Sequence, residues 1–452
     1  MGARLPGPRG RWLSGNLEAF DQDRLGFLSR AREEFGDLVR FDSRTTIVND
    51  VDLAGIVLRG PDSRFQITED FVQRKLTAAE IDSILRGRVL LNPGLRRSVV
   101  AGMRPVVERL TGEALAATST EAVDPVPVLE QVTSRAVAAY YFGSDGAALP
   151  AMCSALLDAL SEVIGNPFAL PATWRTSARR RIAERHRALV CLVIELLQAR
   201  IRDAHGYDDG AALVVRSAAK STASVTTERL ANLVIGAMLA GHRVPAAAAS
   251  WLLMSLADHP HELEAVRSEL DAGRDPSAPA HEARHPHPSP HLLACIRETL
   301  RLYPPTWLLA RRSACEVELG GRRFASGHHF IISPYVLGRD ERRVPQPTSF
   351  RPARWQELPA PAASLPFGSG PHGCPGSDLA TVMLATIASV ALDRFDLERG
   401  EGDVVPDPRT TLLPHGLRLR FLLRRTETAP GPSGDLPALT TALPRPGAGS
   451  AA

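Results

Sequence analysis

Between residues 98 and 270, apolar positions recur at spacings of three and four, the pattern of helices that each bury one face. The pattern predicts helices over 99–117, 126–142, 150–164, 174–204 and 227–257. The last, TERLANLVIGAMLAGHRVPAAAASWLLMSLA, is the longest. As one continuous helix it would run roughly 45 Å at 1.5 Å per residue. Pro245 interrupts it. Proline has no amide N–H, so the Gly241 carbonyl loses its helical donor and a kink is expected there. Further helices are expected at 291–302, stopped by Pro304 and Pro305, and at 377–393. Strand-like runs are fewer. LVRF and TTIV, within 37–58, suggest a hairpin, and short pieces recur around 315–333. The reading is a mainly α fold with a small β region.

Three stretches escape both periods. Residues 271–290, followed by His291, hold His281, His285 and His287 among prolines, at spacings that match no metal-ligand motif and read as a solvated loop. Residues 339–373 form a long proline-studded connection of the kind that usually carries function or meets a cofactor. After about residue 425 the Pro/Ala/Gly-rich chain cannot bury a core, so 426–452 is expected to be a disordered tail on a catalytic domain spanning 1–425.

With 452 residues, 44% of them apolar, the chain can bury a large core. A net charge of +3 with 23% charged residues is no nucleic-acid footprint. Five cysteines at irregular spacing form no disulfide framework and suit a reducing cytoplasm. Neither the N-terminal 20 residues nor any later stretch offers about 18 uncharged apolar residues, so no membrane anchor is expected.

The chemistry concentrates in FGSGPHGCPG, residues 367–376. Its glycines permit tight turns and close approach to a flat object. Cys374 sits just before a helix, where backbone N–H groups favour an anionic sulfur and a soft ligand for iron. A lone cysteine in such a turn is ordinarily only buried. Here Phe367, Gly368, Gly370, His372, Cys374 and Gly376 occupy every fixed position of F-G-x-G-x-H-x-C-x-G, and the stretch resembles the haem-binding loop of cytochromes P450.

The resemblance spans about residues 5–425 and implies the cytochrome P450 fold, with haem b (iron protoporphyrin IX) on Cys374. It also implies Phe367 beside the thiolate and His372 placed to contact a propionate. Glu298 and Arg301, three apart on one helix face, look like the family's E-x-x-R helix, and PTSFRPARW supplies Arg354 as the third partner. A carboxylate between two forked guanidiniums is satisfied even when buried, which would lock the loop carrying Cys374. Arg311 is placed as a propionate ligand, with Arg312 as an alternative. In LLNPGLRRSVV, Arg96 or Arg97 is placed to point at the haem, although the aromatic or His that usually precedes it is missing.

In the long helix the match breaks. The family pattern A/G-G-x-D/E-T reads here Ala240, Gly241, His242, Arg243, Val244. Val has no exchangeable proton and Arg never deprotonates, so neither serves in the usual relay. Three readings remain. One is a monooxygenase whose proton comes from water, His242 or the substrate. Another is a peroxygenase with Arg243 anchoring a substrate carboxylate. The third is a non-catalytic haem protein or sensor. The first is preferred: oxidation of a small lipophilic molecule in secondary metabolism by a monomer fed by a ferredoxin and a ferredoxin reductase. The pocket would draw on 65–95, helices near 150–200, Ala240–Val244, 306–309 and Thr411–Leu412.

Overall fold

The structure is a computed structural model that describes residues 5–11, 15–67, 87–118, 120–164, 176–203, 205–221, 225–273, 289–357 and 365–424. The tail and the histidines 281, 285 and 287 lie outside the described residues. The expected helices form as Arg104–Ala116, Pro125–Phe142, Leu149–Ile164, Ser177–Arg202, Pro290–Leu302 and Ser377–Arg394. Their starts follow local chemistry: Asp124, Thr176 and Ser289 each turn a side-chain oxygen onto a free N–H of the first turn, ahead of Pro125 and Pro290 in two cases.

The run 227–257 is not one helix. Thr227–Ala240 ends at Gly241, and Arg243–Ala257 begins after His242, whose φ of −89° and ψ of −80° leave the helical well. The break sits where Pro245 withholds its N–H. The Thr133 hydroxyl donates to the His242 carbonyl at 2.6 Å, so a side chain from a neighbouring helix satisfies an acceptor at the break. By length and composition Thr227–Ala257 would pass for a membrane span. In the fold its second half is the buried axis of the molecule. Ala246 to Ala249 allow close approach of Pro125–Phe142, and Trp251 stacks on Tyr303 at 4.0 Å and donates to the Leu412 carbonyl.

The β region is a five-stranded sheet in the order Leu38–Arg40, Thr45–Val48, His329–Ile332, Leu309–Ser313, Phe65–Ile67, with only the second and third strands parallel. The LVRF–TTIV hairpin thus forms, and the pieces expected near 315–333 contribute Val317–Leu319, Arg322–Phe324 and His329–Ile332. Small antiparallel pairs close the C-terminal part. A second apolar cluster, including Leu58, Phe65, Phe330 and Leu365, fills the space under the sheet, below the segment that leads into the cysteine loop.

Candidate active site

The cysteine loop is built by backbone constraints. Gly368 and Gly370 have φ of +69° and +73°, a region that side chains rarely adopt. At Gly370 a Cβ would stand 2.5 Å from the Arg59 Cα and the Leu58 carbonyl oxygen, so only glycine lets the loop press on the Val51–Arg59 helix. Gly373 and Gly376 keep negative φ; a Cβ at Gly373 would stand 3.2 Å from the Gly370 carbonyl oxygen, while one at Gly376 would meet only the Cys374 sulfur at 3.9 Å. The Cys374 N–H donates to the Phe367 carbonyl at 2.8 Å and folds the loop back on itself. The sulfur is exposed, but into a cavity rather than bulk solvent. Burial pushes its thiol pKa up, opposed by a hydrogen bond from the Gly376 backbone and by the Arg88 charge, both of which favour the thiolate.

The cavity measures about 710 Å³ and lies between Cys374 and the broken helix. One wall is apolar, with Val137, Leu233, Val244 and Ala248 among its residues. The lining also includes Arg88, Arg311 and His372, with Arg229 on the Thr227–Ala240 helix. Arg311 is only 6% exposed, and its Nε has no hydrogen-bond partner. Burial and then the Arg88 charge push its pKa down to about 10, with Asp62 opposing. The His372 Nε2–H donates to the Asp62 carboxylate at 2.5 Å, while its buried Nδ1 is unpartnered. The unpartnered Arg311 Nε beside the Arg88 charge, at the edge of an apolar slot, suits an anionic, otherwise apolar guest.

Comparison with known proteins agrees with this geometry. The cytochrome P450 profile matches residues 5–421. The chain belongs to the cytochrome P450 family. Among curated P450 relatives, cyclooctatin synthase of Streptomyces melanosporofaciens is 29% identical over 356 residues, 74% of this chain and 75% of that protein. A sterol 14alpha-demethylase of Mycolicibacterium vanbaalenii is 26% identical over 427 residues, 86% of this chain and 90% of its own length. A sterol 14alpha-demethylase of Mycobacterium tuberculosis (strain ATCC 25618 / H37Rv) is 31% identical over 233 residues, which is 49% of this chain. That match spans only about half of the relative, 51% of its length.

P450 proteins bind haem b through a cysteine thiolate. The residues present fit that group: a cavity-facing sulfur, a glycine cradle, and an unpartnered Arg311 Nε beside Arg88, where a carboxylate would be welcome. Arg97 does not belong to this set. It is exposed at the start of the short Arg97–Val100 helix and lines no part of the cavity, and Arg96 is exposed beside it. Arg88 takes that place. Its guanidinium donates to the Gly373 carbonyl and its charge acts on Cys374. No Trp or His adjoins Arg88 in RGRVLL, so the residue carries no local signal.

Glu298, Arg301 and Arg354 come together as the spacing suggested, all within 1% of complete burial. Arg301 is bidentate on the carboxylate at 2.9 and 2.8 Å, and Arg354 Nε reaches Oε1 at 2.7 Å. The Arg351 N–H at 2.9 Å and the Trp355 indole at 3.1 Å complete five donors on two oxygens. Burial would raise the Glu298 pKa, but the bonds and charges of Arg301, then the Arg351 N–H and Arg354, hold it below the usual range. The guanidiniums then grip the loop: Arg301 donates to the carbonyls of Gly338, Pro347 and Ser349, and Arg354 to those of Pro345, Gln346 and Ser349. Gln346 has φ of +50°, uniquely among the described non-glycine residues, and it sits inside this grip. Trp355 was the member of the network that the motif did not announce.

At the broken helix, Gly241 and Val244 line the cavity, but His242 and Arg243 do not. The Arg243 guanidinium turns outward to Glu130 at 2.7 Å, Asp158 at 3.1 Å and the Ser161 hydroxyl at 3.2 Å. With two carboxylates already on it, Arg243 does not anchor a substrate in this cavity. His242 is buried, and burial with the Arg243 charge pushes its pKa down to about 4. It is a packed neutral ring rather than a proton donor facing the slot. Among the described residues, nothing from 150–200 and neither Thr411 nor Leu412 lines the cavity. Leu412 is tied instead to Pro305 and Trp251. Part of that wall comes from the Thr227–Ala240 helix through Arg229, Asn232, Leu233 and Gly236, with Thr306 and Leu309 as expected.

Proposed function

We propose that the chain is a monooxygenase that oxidises a small lipophilic molecule, using electrons delivered by a separate ferredoxin and ferredoxin reductase. The observation that carries this is the Cys374 sulfur at the floor of an apolar cavity whose lining includes Arg88, Arg311 and His372. Cys374 would hold the iron, Arg88 and Arg311 would hold the propionates, and Phe367 would shield the sulfur. Bound haem supplies dioxygen activation, with the thiolate favouring O–O cleavage. Val137, Leu233, Val244 and Ala248 offer a substrate dispersion contacts and exclusion of water, with no charge to pair. Proton supply falls to water at the Gly241 carbonyl, since that residue lines the cavity and Pro245 cannot donate to it. The names of the relatives, which point to sterols and to cyclooctatin, support an alicyclic or terpenoid substrate class. The Arg243–Glu130–Asp158 cluster speaks against the peroxygenase reading, which needs that guanidinium free.

The test is product formation from a panel of terpenes, sterols and fatty acids, run in two arms. One arm supplies oxygen, ferredoxin, reductase and NADPH; the other supplies hydrogen peroxide alone. Turnover of an alicyclic substrate confined to the first arm is expected. Efficient peroxide-driven turnover of carboxylates, abolished in Arg243→Ala, would overturn the proposal in favour of a peroxygenase. Substrate binding without turnover in either arm would overturn it in favour of a binding protein.

A further inference from the structure

Away from the cavity, Glu262 of the Pro260–Ala272 helix meets His291 and Cys295 of the Pro290–Leu302 helix. His291 and Cys295 are four apart and share a face of their helix. One donor atom from each of the three residues, an imidazole nitrogen, a sulfur and a carboxylate oxygen, lies within 4.8 Å of the others. His291 Nε2 already contacts Glu262 at 2.7 Å, and the His291 N–H donates to Glu269 at 3.0 Å, so a second carboxylate backs the first ligand helix turn. A tetrahedral site with bonds of roughly 2.0–2.3 Å needs donors about 3.5 Å apart, a spacing inside the 4.8 Å that bounds the three donor atoms. Sulfur, nitrogen and carboxylate oxygen together are a donor set for zinc, not for magnesium or calcium. The cluster also has an entry path. Cys295 is fully buried at its floor, while the His291 and Glu262 side chains keep 21% and 26% of their exposure.

We propose that Glu262, His291 and Cys295 form a zinc-class metal site that pins the start of the Pro290–Leu302 helix to its neighbour, with water as fourth ligand. The position gives it a purpose. Cys295 lies three residues before Glu298, so a bound ion would brace the helix whose carboxylate organises the loop carrying Cys374.

The experiment uses the full-length, tag-free, haem-loaded protein, stripped with a chelator and titrated with zinc chloride by calorimetry. X-ray absorption at the zinc edge follows on the loaded sample. One equivalent is expected to bind with one sulfur at about 2.3 Å and the remaining ligands N or O. Cys295→Ser and His291→Ala should each weaken binding by more than the roughly 10–100-fold that loss of an outer partner costs. His291→Ala alters a partly exposed position and serves where Cys295→Ser fails to fold. A variant with His281, His285 and His287 all changed to Asn should keep the one-to-one site. Zinc should raise the thermal midpoint of wild type and leave that of Cys295→Ser unmoved. Absence of stoichiometric binding, a bound ion with no sulfur neighbour, or binding that vanishes in the loop variant and survives Cys295→Ser would each overturn the proposal.

Discussion

Replacing Glu298 by Gln changes no volume and one charge, and it is the most direct probe of what holds the cysteine loop. Five donors converge on two oxygens. The amide oxygen of Gln does best at the Oε1 position, where it keeps Arg301 Nη2, the Arg351 N–H and Arg354 Nε. The amide nitrogen then faces Arg301 Nε and the Trp355 indole, two donors meeting a third. Two buried donors lose their acceptor, at about 1–3 kcal/mol each, and two buried guanidiniums lose their anion, a change that typically costs about 3–5 kcal/mol in total. Against a domain stability of about 5–15 kcal/mol, that is about a fifth at the least. The assay is denaturant unfolding followed by circular dichroism at fixed excess haem. Alongside it, the absorption spectrum of the reduced, carbon-monoxide-bound protein separates thiolate from thiol ligation. Glu298→Gln should lose about 3–5 kcal/mol and shift the spectrum toward the thiol form. The Glu298→Gln/Arg354→Gln double variant should recover about 1–3 kcal/mol of coupling. Because pairing holds the Glu298 pKa below its unfolded value, its contribution is present at neutral pH and fades as pH falls through the native value. A Glu298→Gln protein within about 1 kcal/mol of wild type, with its thiolate spectrum intact, would refute the reasoning.

Four further outcomes follow from the same geometry. Arg311→Met and Arg88→Met should each weaken haem binding by about 10–150-fold, the equivalent of one charge-assisted hydrogen bond of roughly 1.5–3 kcal/mol, measured by haem transfer to an acceptor protein; Arg97→Met should leave it unchanged. Cys374→Ser should retain the fold by circular dichroism yet lose the thiolate-ligated spectrum of the carbon-monoxide complex. Arg243→Ala should strand Glu130 and Asp158 and cost about 1–3 kcal/mol of stability, while titration of a bound lipophilic ligand moves by less than about twofold. His242 has a native pKa lowered to about 4 from the ordinary 6.5, so the unfolded chain takes up its proton first. Stability should therefore be full above pH 6.5 and fall by about 3 kcal/mol as pH drops toward 4. His242→Phe should flatten that part of a stability-versus-pH curve.

Legibility in the sequence followed how local each constraint is. The helices Arg104–Ala116, Pro125–Phe142, Leu149–Ile164, Ser177–Arg202 and Pro290–Leu302 declared themselves by apolar positions at a fixed period, and the hairpin because its strands are contiguous. The Cys374 loop was legible because backbone handedness, close approach and ligand chemistry all act within ten residues. The Glu298 network was legible in part: Arg301 is local, Arg354 lies in a recognisable motif, but Trp355 joins only because a single turn at Arg354–Glu357 swings the indole back. Strands Phe65–Ile67 and Leu309–Ser313 were missed because they pair across some 240 residues, which no local period records. Arg88 was missed for the same reason: nothing near it in the chain marks it, and only the folded loop brings Gly373 to its guanidinium.

The broken helix joins these threads. An acid and an alcohol at the groove would each cost burial of a polar group against the apolar wall, and the chain carries Arg243 and Val244 instead. Val244 extends the apolar wall. Arg243 is drawn out of the groove by two carboxylates on neighbouring helices, so it braces the break from outside and adds no charge beside Val244. Pro245 guarantees that the Gly241 carbonyl has no helical donor, and Thr133 holds the next carbonyl from behind. The fold divides the labour differently: Gly241, whose carbonyl lacks a helical donor, lines the cavity, and the side chains fix the bend. That division predicts that Pro245→Ala, which restores an N–H to the Gly241 carbonyl, straightens the helix and slows oxygen-dependent turnover more than it weakens ligand binding. A variant with straightened helix and undiminished turnover would mean that the proton arrives by another path.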